Sequence, residues 1–229
     1  RVDEAMRSQY EGRLGVALGN ALIMTRGFAA PEVKATLSKA RELLDAARYP
    51  VESLSALCTL STYHLLRSES PLCLALVEPL AAKAHERSEV TVIEYLTGTA
   101  HLHLGNFEAS AKHLEAALAL YDEDLHRPVS LVAGLHLRSF ALIWLGLARL
   151  YLGLVNDATE TMLAALADAR SRSHPFTLVS ALLALARFRH HVGDLAGAVA
   201  ATEEGMAIAR EQCSRYHISR AAVLRAVNL

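Results

Sequence analysis

The chain predicts an all-α fold: a right-handed superhelix of about five antiparallel helical hairpins followed by one C-terminal helix. Three observations predict it. The 229 residues are 52% hydrophobic but only 6% aromatic, with Ala and Leu dominant and β-branched residues scarce, which favours closely packed helices over a sheet. Apolar and small residues recur at spacings of three and four. Breaks in that periodicity return at long, near-regular intervals, and the pattern around them repeats.

The first hairpin, over residues 12–48, is expected to turn at Gly27, with Val33, Leu37 and Ala40 on its second helix and Pro31 in that helix's first turn, where a missing N–H costs little. The second, over 53–87, is a weaker copy built on Ser61, Ser68, Cys73, Val77 and Leu80. The third, over 91–122, carries the clearest signal. Gly98 is small enough for two helices to cross closely, Gly105 ends the first helix with positive φ, and Asn106 is placed to accept an amide hydrogen bond as the second helix begins. Phe107, Ser110, Leu114 and Ala117 then mark its buried stripe.

The fourth hairpin, over 129–172, repeats the pair at Gly146 and Gly153, then Ala158, Met162 and Ala165. Its first helix is expected to run from about Val129 to Leu152, after a polar elbow at 122–128. A second elbow at 170–175 leads to Pro175, which opens the fifth hairpin over 175–212, with Ala186, the breaker Gly193-Asp194, then Ala198, Thr202 and Gly205. The last helix, over 216–229, has no partner, and Ile218, Ala222 and Val223 are expected to cap the preceding hairpin. Each hairpin leaves an apolar face that the next one covers, so the stack is tetratricopeptide-like, with one concave and one convex face. The turn positions 27, 68, 105, 153 and 193 lie 41, 37, 48 and 40 residues apart, longer than the ~34 of the ideal repeat.

Several function classes are disfavoured. With 23 basic and 24 acidic side chains and no basic tract, direct nucleic-acid binding is not expected. Apolar runs are too short to span a bilayer and no helix has a strongly basic polar face, so membrane binding is not expected either. Cys58, Cys73 and Cys213 are few and widely spaced, and they read as core residues of a reducing compartment. Together with the absence of a leader this points to the cytoplasm, and the bounds at Arg1 and Leu229 suggest a piece of a longer chain.

The strings Ala17–Ile23 (ALGNALI), Gly27–Val33 (GFAAPEV), His113–Asp122 (HLEAALALYD) and His174–Leu178 (HPFTL) resemble the helical-repeat region that follows the ATPase module in large bacterial signalling proteins. These include adenylate/guanylate cyclase-like proteins and related transcriptional regulators. The resemblance covers nearly all the chain and implies a regulatory domain whose parent performs ATP-dependent or cyclase chemistry elsewhere. That family often has an Asp-Pro-Gly-like stretch after the central elbow. This chain reads Ser130–His136 (SLVAGLH) there, so contacts made by that stretch do not carry over.

Among candidate sites, His101 and His103 with His113 suggest a metal, but residues two apart do not share a helix face and no HExxH arrangement occurs, so no metal and no cofactor is expected. His64, His101, Arg149 and Arg189 all stand four residues before a turn, a repeated polar position. Arg149 and Arg189 are the leading candidates to line a concave groove and grip a carboxylate or a peptide carbonyl, with Tyr95, His64 and Arg138 extending it. The alternative is that both arginines cover apolar surface with their stems. His190-His191 are read as capping a helix end, His174 as part of an ordered elbow, and His126-Arg127 as a salt-bridge network with 122–124.

No nucleophile elbow draws Ser, His and acid residues together, so this chain is not expected to be an enzyme. The expected function is a protein-interaction or regulatory scaffold binding a partner or a neighbouring domain through its concave surface. A homodimerisation module and a small-molecule sensor are the alternatives.

Overall fold

The computed structural model describes residues 4–28, 30–44 and 48–228. Among them are twelve helices and no strand: α1 (Glu4–Arg26), α2 (Pro31–Leu43), α3 (Pro50–Leu66), α4 (Ser70–Ala81), α5 (Arg87–His103), α6 (Phe107–Leu120), α7 (Glu123–Ala133), α8 (Leu137–Tyr151), α9 (Val155–Ser171), α10 (Pro175–His191), α11 (Leu195–Glu211) and α12 (Arg215–Asn228). Ala29 of the first turn, residues 45–47 at the end of the first expected hairpin, and Leu229 lie outside the described residues.

Pairs α1–α2, α3–α4, α5–α6, α8–α9 and α10–α11 form five antiparallel hairpins of a tetratricopeptide-like superhelix, and α12 packs on α10 and α11. The two helices of a hairpin have different burial patterns. In α10 nearly every residue from Val179 to Ala186 is buried, because this helix lies between its neighbours on both sides. In α9 only Ala158, Thr161, Met162, Ala165, Leu166 and Ala169 are buried, a one-sided stripe at helical spacing. The first helices therefore form an inner layer, with α3, α5, α8, α10 and α12 in contact in sequence, and the second helices form the outer layer.

The turns follow from backbone sterics. Gly27, Ser68, Gly105, Gly153 and Gly193, the five expected turn positions, all have positive φ. So do Ser173 and Cys213 in the links after α9 and α11. Pro31 and Pro175 open α2 and α10 as expected. Asn106 does not cap α6: its side-chain amide points back to His101 Nδ1 at 3.3 Å.

Close crossings fall on the small residues. A Cβ on Gly98 would lie 2.7 Å from Leu114 Cγ and 3.1 Å from both Leu114 N and Ser110 O, and one on Gly146 would lie 3.0 Å from Met162 Cγ. Ala117, Ala158, Ala165, Ala186 and Ala198 are buried between helices.

Four further expectations fail. The helix from Val129 to Leu152 is two helices, α7 and α8, because Gly134 adopts φ +67° and Leu135 N donates to Ser130 O at 3.2 Å, which ends α7. The polar elbow is itself the start of α7: Asp122 accepts from Leu125 N at 3.0 Å, and Glu123 and Asp124 occupy the first turn, where the helix dipole favours negative charge. On the last helix, Ile218 packs on the preceding hairpin, but His217 and Ala221 are the fully buried residues, whereas Ala222 is exposed and Val223 is 65% exposed. Cys213, expected in the core, is exposed at its turn, whereas burial pushes the thiols of Cys58 and Cys73 up to about 12 and about 11.

Helix α7 packs across the inner helix α3, where Ser55 Oγ donates to Val129 O at 3.2 Å, and Asn20 of α1 donates to Val132 O. The superhelix also meets itself. Phe28, in the α1–α2 turn, lies 5.9 Å from the Phe176 ring at the start of α10 and 5.4 Å from the Tyr216 ring of α12, centre to centre. Among the described residues no single helix is long and apolar enough to cross a membrane. Only α7 and α8 together reach that length, and they meet at 88°.

Candidate functional site

The inner layer surrounds a cavity of about 350 Å³. Helix α3 contributes Thr62 and Leu66, α5 contributes Tyr95, Thr99 and His103, α8 contributes Phe140 and Trp144, and α10 contributes Phe176, Ser180 and Arg187. Tyr216 and Arg220 of α12 and Phe28 of the first turn complete the wall. These residues recur at spacings of three and four along each helix, so each inner helix presents one face to the cavity. Six aromatic rings, the His103 imidazole and two guanidinium groups make an apolar wall with a cationic patch. Among the described residues no carboxylate lines it.

The cations differ in how they are held. Arg220 Nη1 donates to Tyr216 Oη at 3.4 Å, and its guanidinium carbon sits 5.4 Å from that ring's centre. Arg187 has no ion pair among the described residues, and its Nε is shut off from solvent without a hydrogen-bond partner. Burial holds its pKa below the usual arginine value, and the neighbouring Arg220 adds to that effect. His103 is likewise pushed towards the neutral form by burial, opposed by its Nδ1 contact of 2.9 Å with Thr99 O. The Trp144 indole N–H is buried beside the Tyr95 hydroxyl.

Of the six expected surface residues, only Tyr95 stands on this wall, and burial raises its phenol pKa. The other repeated positions point outward, towards the second helix of their own hairpin. His64 Nδ1 meets Glu69 at 2.8 Å in the α3–α4 turn. His101 stacks on His113 of α6, 5.6 Å between ring centres. Arg149 donates to Thr161 Oγ1 of α9 at 2.7 Å and to Glu115 of α6 at 2.8 Å. Arg189 donates to Gly197 O of α11 at 3.1 Å and lies 3.5 Å from Asp194. The register recurs, but it clasps the hairpins together and does not line the groove. Arg138 is also outside, paired at 3.3 Å with Asp168 of α9.

Sequence reasoning missed Arg187, Trp144, Phe140, Phe176, Tyr216 and Phe28. One signal was present: Thr62, Thr99 and Arg187 each stand six residues before a turn.

Four further histidines flagged by the sequence have partners of their own. His191 Nδ1 contacts Arg187 O at 2.8 Å at the end of α10, while His190 Nδ1 reaches Asn228 of α12 at 2.7 Å. His174 Nδ1 meets Thr177 Oγ1 at 2.8 Å at the start of α10. Among the described residues His126 forms no salt bridge; it is buried, with Nδ1 2.7 Å from Asp122 O.

A second polar cluster lies where α7, α8 and α9 meet. Asp168 accepts from Ser139 Oγ at 2.5 Å and from Arg172 Nη2 at 2.8 Å, Arg172 also donates to Glu123, and His136 Nδ1 lies 3.6 Å from Asp168. Its Ser, His and Asp do not form a catalytic relay. Ser139 and Asp168 both face Nδ1, leaving Nε2 without a nucleophile, and Ser139 is fully buried. The Asp168 carboxyl is held below the usual range by its bonds from Arg172 and Ser139, which outweigh burial. Asp168→Ala leaves Arg172 and Ser139 short of a partner and is expected to cost about 1–2 kcal/mol in a urea titration. Among the described residues no three His, Cys, Asp or Glu side chains converge as a metal-binding group.

No protein-family model and no curated protein matches this chain. Among solved structures it is similar to aspartyl phosphate phosphatase F from Bacillus subtilis, with a TM-score of 0.63 at 15% identity. That match covers 98% of this chain but 57% of the other, so the chain spans a little over half the length of that structure. The likeness shows the fold. It supports the tetratricopeptide-like superhelix and leaves the expected ATPase or cyclase context as a resemblance of sequence strings.

Proposed function

We propose that this chain is a non-catalytic recognition module of a larger bacterial signalling protein, and that it takes a segment of a partner or neighbouring domain along its concave side. The observation that carries this is the inner wall itself. Its aromatic and cationic side chains come from α5, α8, α10, α12 and the α1–α2 turn and converge on a cavity, while the outward polar residues are occupied in holding hairpins together. The signalling context rests on the strings Gly27–Val33 and His174–Leu178 and on the fold shared with a bacterial phosphatase.

Selection of a random phage-displayed peptide library on the purified chain tests the proposal. Enriched peptides are expected to lose roughly tenfold or more in affinity, about 1.4 kcal/mol, in Thr62→Trp, which fills the cavity from α3. They are expected to bind the double variant Arg149→Glu, Arg189→Glu unchanged, provided its helical circular dichroism is intact. The reverse pattern would place recognition on the outer surface and overturn the proposal.

A further inference from the structure

Resting on the reading that the concave side is the recognition face, we propose that its cavity holds a small organic acid: an apolar or aromatic body bearing one carboxylate, with the carboxylate on Arg187. The argument begins with charge. Elsewhere the chain's arginines find carboxylates readily: Arg13 on Glu52, Arg67 on Glu69, Arg149 on Glu115, Arg170 on Glu204 and Arg225 on Glu203. Four of those five arginines, all but Arg149, are exposed, whereas Arg187 is partly buried, and so they need the pairing less. Arg187 is the cation of the wall for which an anion would matter most, and among the described residues no acid side chain of the wall reaches it.

A guanidinium held in an apolar wall without a counter-charge is a standing cost that a bound anion removes. Burying the arginine stem over apolar surface with its head in water is the plain alternative. It accounts poorly for an Nε cut off from solvent and unbonded.

The wall then restricts the ligand. Two guanidinium groups exclude an aromatic cage for a cation. The rings of Phe140, Trp144, Phe176 and Tyr216 give most of the lining an apolar character, so the body of the ligand is apolar. Arg220 is already engaged with Tyr216, leaving one free guanidinium fork, which matches one carboxylate in bidentate geometry. Phe28 stands over the cavity from the first turn, against Phe176 and Tyr216, and shields the apolar end.

The chain contains one tryptophan, Trp144, and it stands on this wall. Its emission therefore reports occupancy directly. The probes are 4-phenylbutyrate and its uncharged counterpart 4-phenylbutan-1-ol, which share the apolar body. Titration followed by Trp144 fluorescence and by calorimetry is expected to show the acid binding roughly tenfold or more tightly than the alcohol, because only the acid pairs with a charged donor. Arg187→Gln, with its helical content checked, is expected to abolish that preference, and Arg149→Gln to leave it intact.

Equal binding of the two probes, or a preference that survives Arg187→Gln, would overturn the proposal. So would a failure of both probes to bind while peptides selected on the same chain still depend on Thr62; recognition by the concave side would then stand and the acid pocket fall. Acid binding without any such peptide would instead remove the protein-partner reading and leave the pocket.

Discussion

Gly98→Val is expected to destabilise the chain by about 2–3 kcal/mol, since overpacking a tight crossing forces backbone shifts and strained rotamers. The first atom to intrude would sit 2.7 Å from Leu114 Cγ, and the atoms behind it, Leu114 N and Ser110 O at 3.1 Å, belong to the backbone of α6. A side-chain rotation could relieve the first contact but not the other two, so α5 and α6 must separate. Separation opens the core in which Leu96, Leu114 and Ala117 are packed. For a chain of this size the melting temperature should fall by roughly 5–10 °C. Gly105→Ala provides the contrast. No atom lies within 4 Å of a Cβ there, and only the φ of +80° opposes it, so the cost should be about 1 kcal/mol. Equal melting temperatures for the two variants would show that α5 and α6 do not cross as closely as described.

Acidification from pH 7 to pH 5 should destabilise the fold, with His217 as the largest single contributor. This residue is fully buried between α10 and α12, with Nε2 2.9 Å from Ser180 Oγ and Nδ1 3.0 Å from Ser214 Oγ. Burial, reinforced by the charge of Arg220, holds its pKa down to about 3 from an ordinary value of 6.5. The unfolded chain therefore takes up a proton below pH 6.5 that the folded chain refuses until about pH 3. Stability is fully present above 6.5 and drains away below it, by at most about 1.4 kcal/mol per pH unit from this one group. His101, His103, His136 and His174 are shifted in the same direction by burial and add to the slope. Urea midpoints measured between pH 5 and 7 should fall steeply in the native chain and less steeply in His217→Gln. An unaltered slope in that variant would mean that His217 does not refuse the proton.

The hairpins were legible because their punctuation is local. A residue at positive φ is a steric requirement confined to one position, and a small residue at a crossing declares itself wherever the spacing repeats, as at Gly98 and Gly146. The break at Gly134 was hidden because the apolar residues on both sides keep a helical spacing, so the glycine read as an interior residue. The site was legible in kind but not in direction. Arg187 and Arg189 sit two residues apart, about 200° around the helix, and α10 is apolar on nearly every side, so amphipathicity cannot say which of them faces inward. Only the neighbours decide that, and α8 and α12 come from distant parts of the chain.

A linear solenoid loses its terminal units independently, because each unit answers only to the next. Phe28 against Phe176 and Tyr216 gives this chain a contact between residues nearly 190 positions apart. Such a bond joins the ends of the array into one loop, so fraying at either end is felt at the other and unfolding gains an all-or-none character. It also makes the final closure slow to find, since the longest loop must form last.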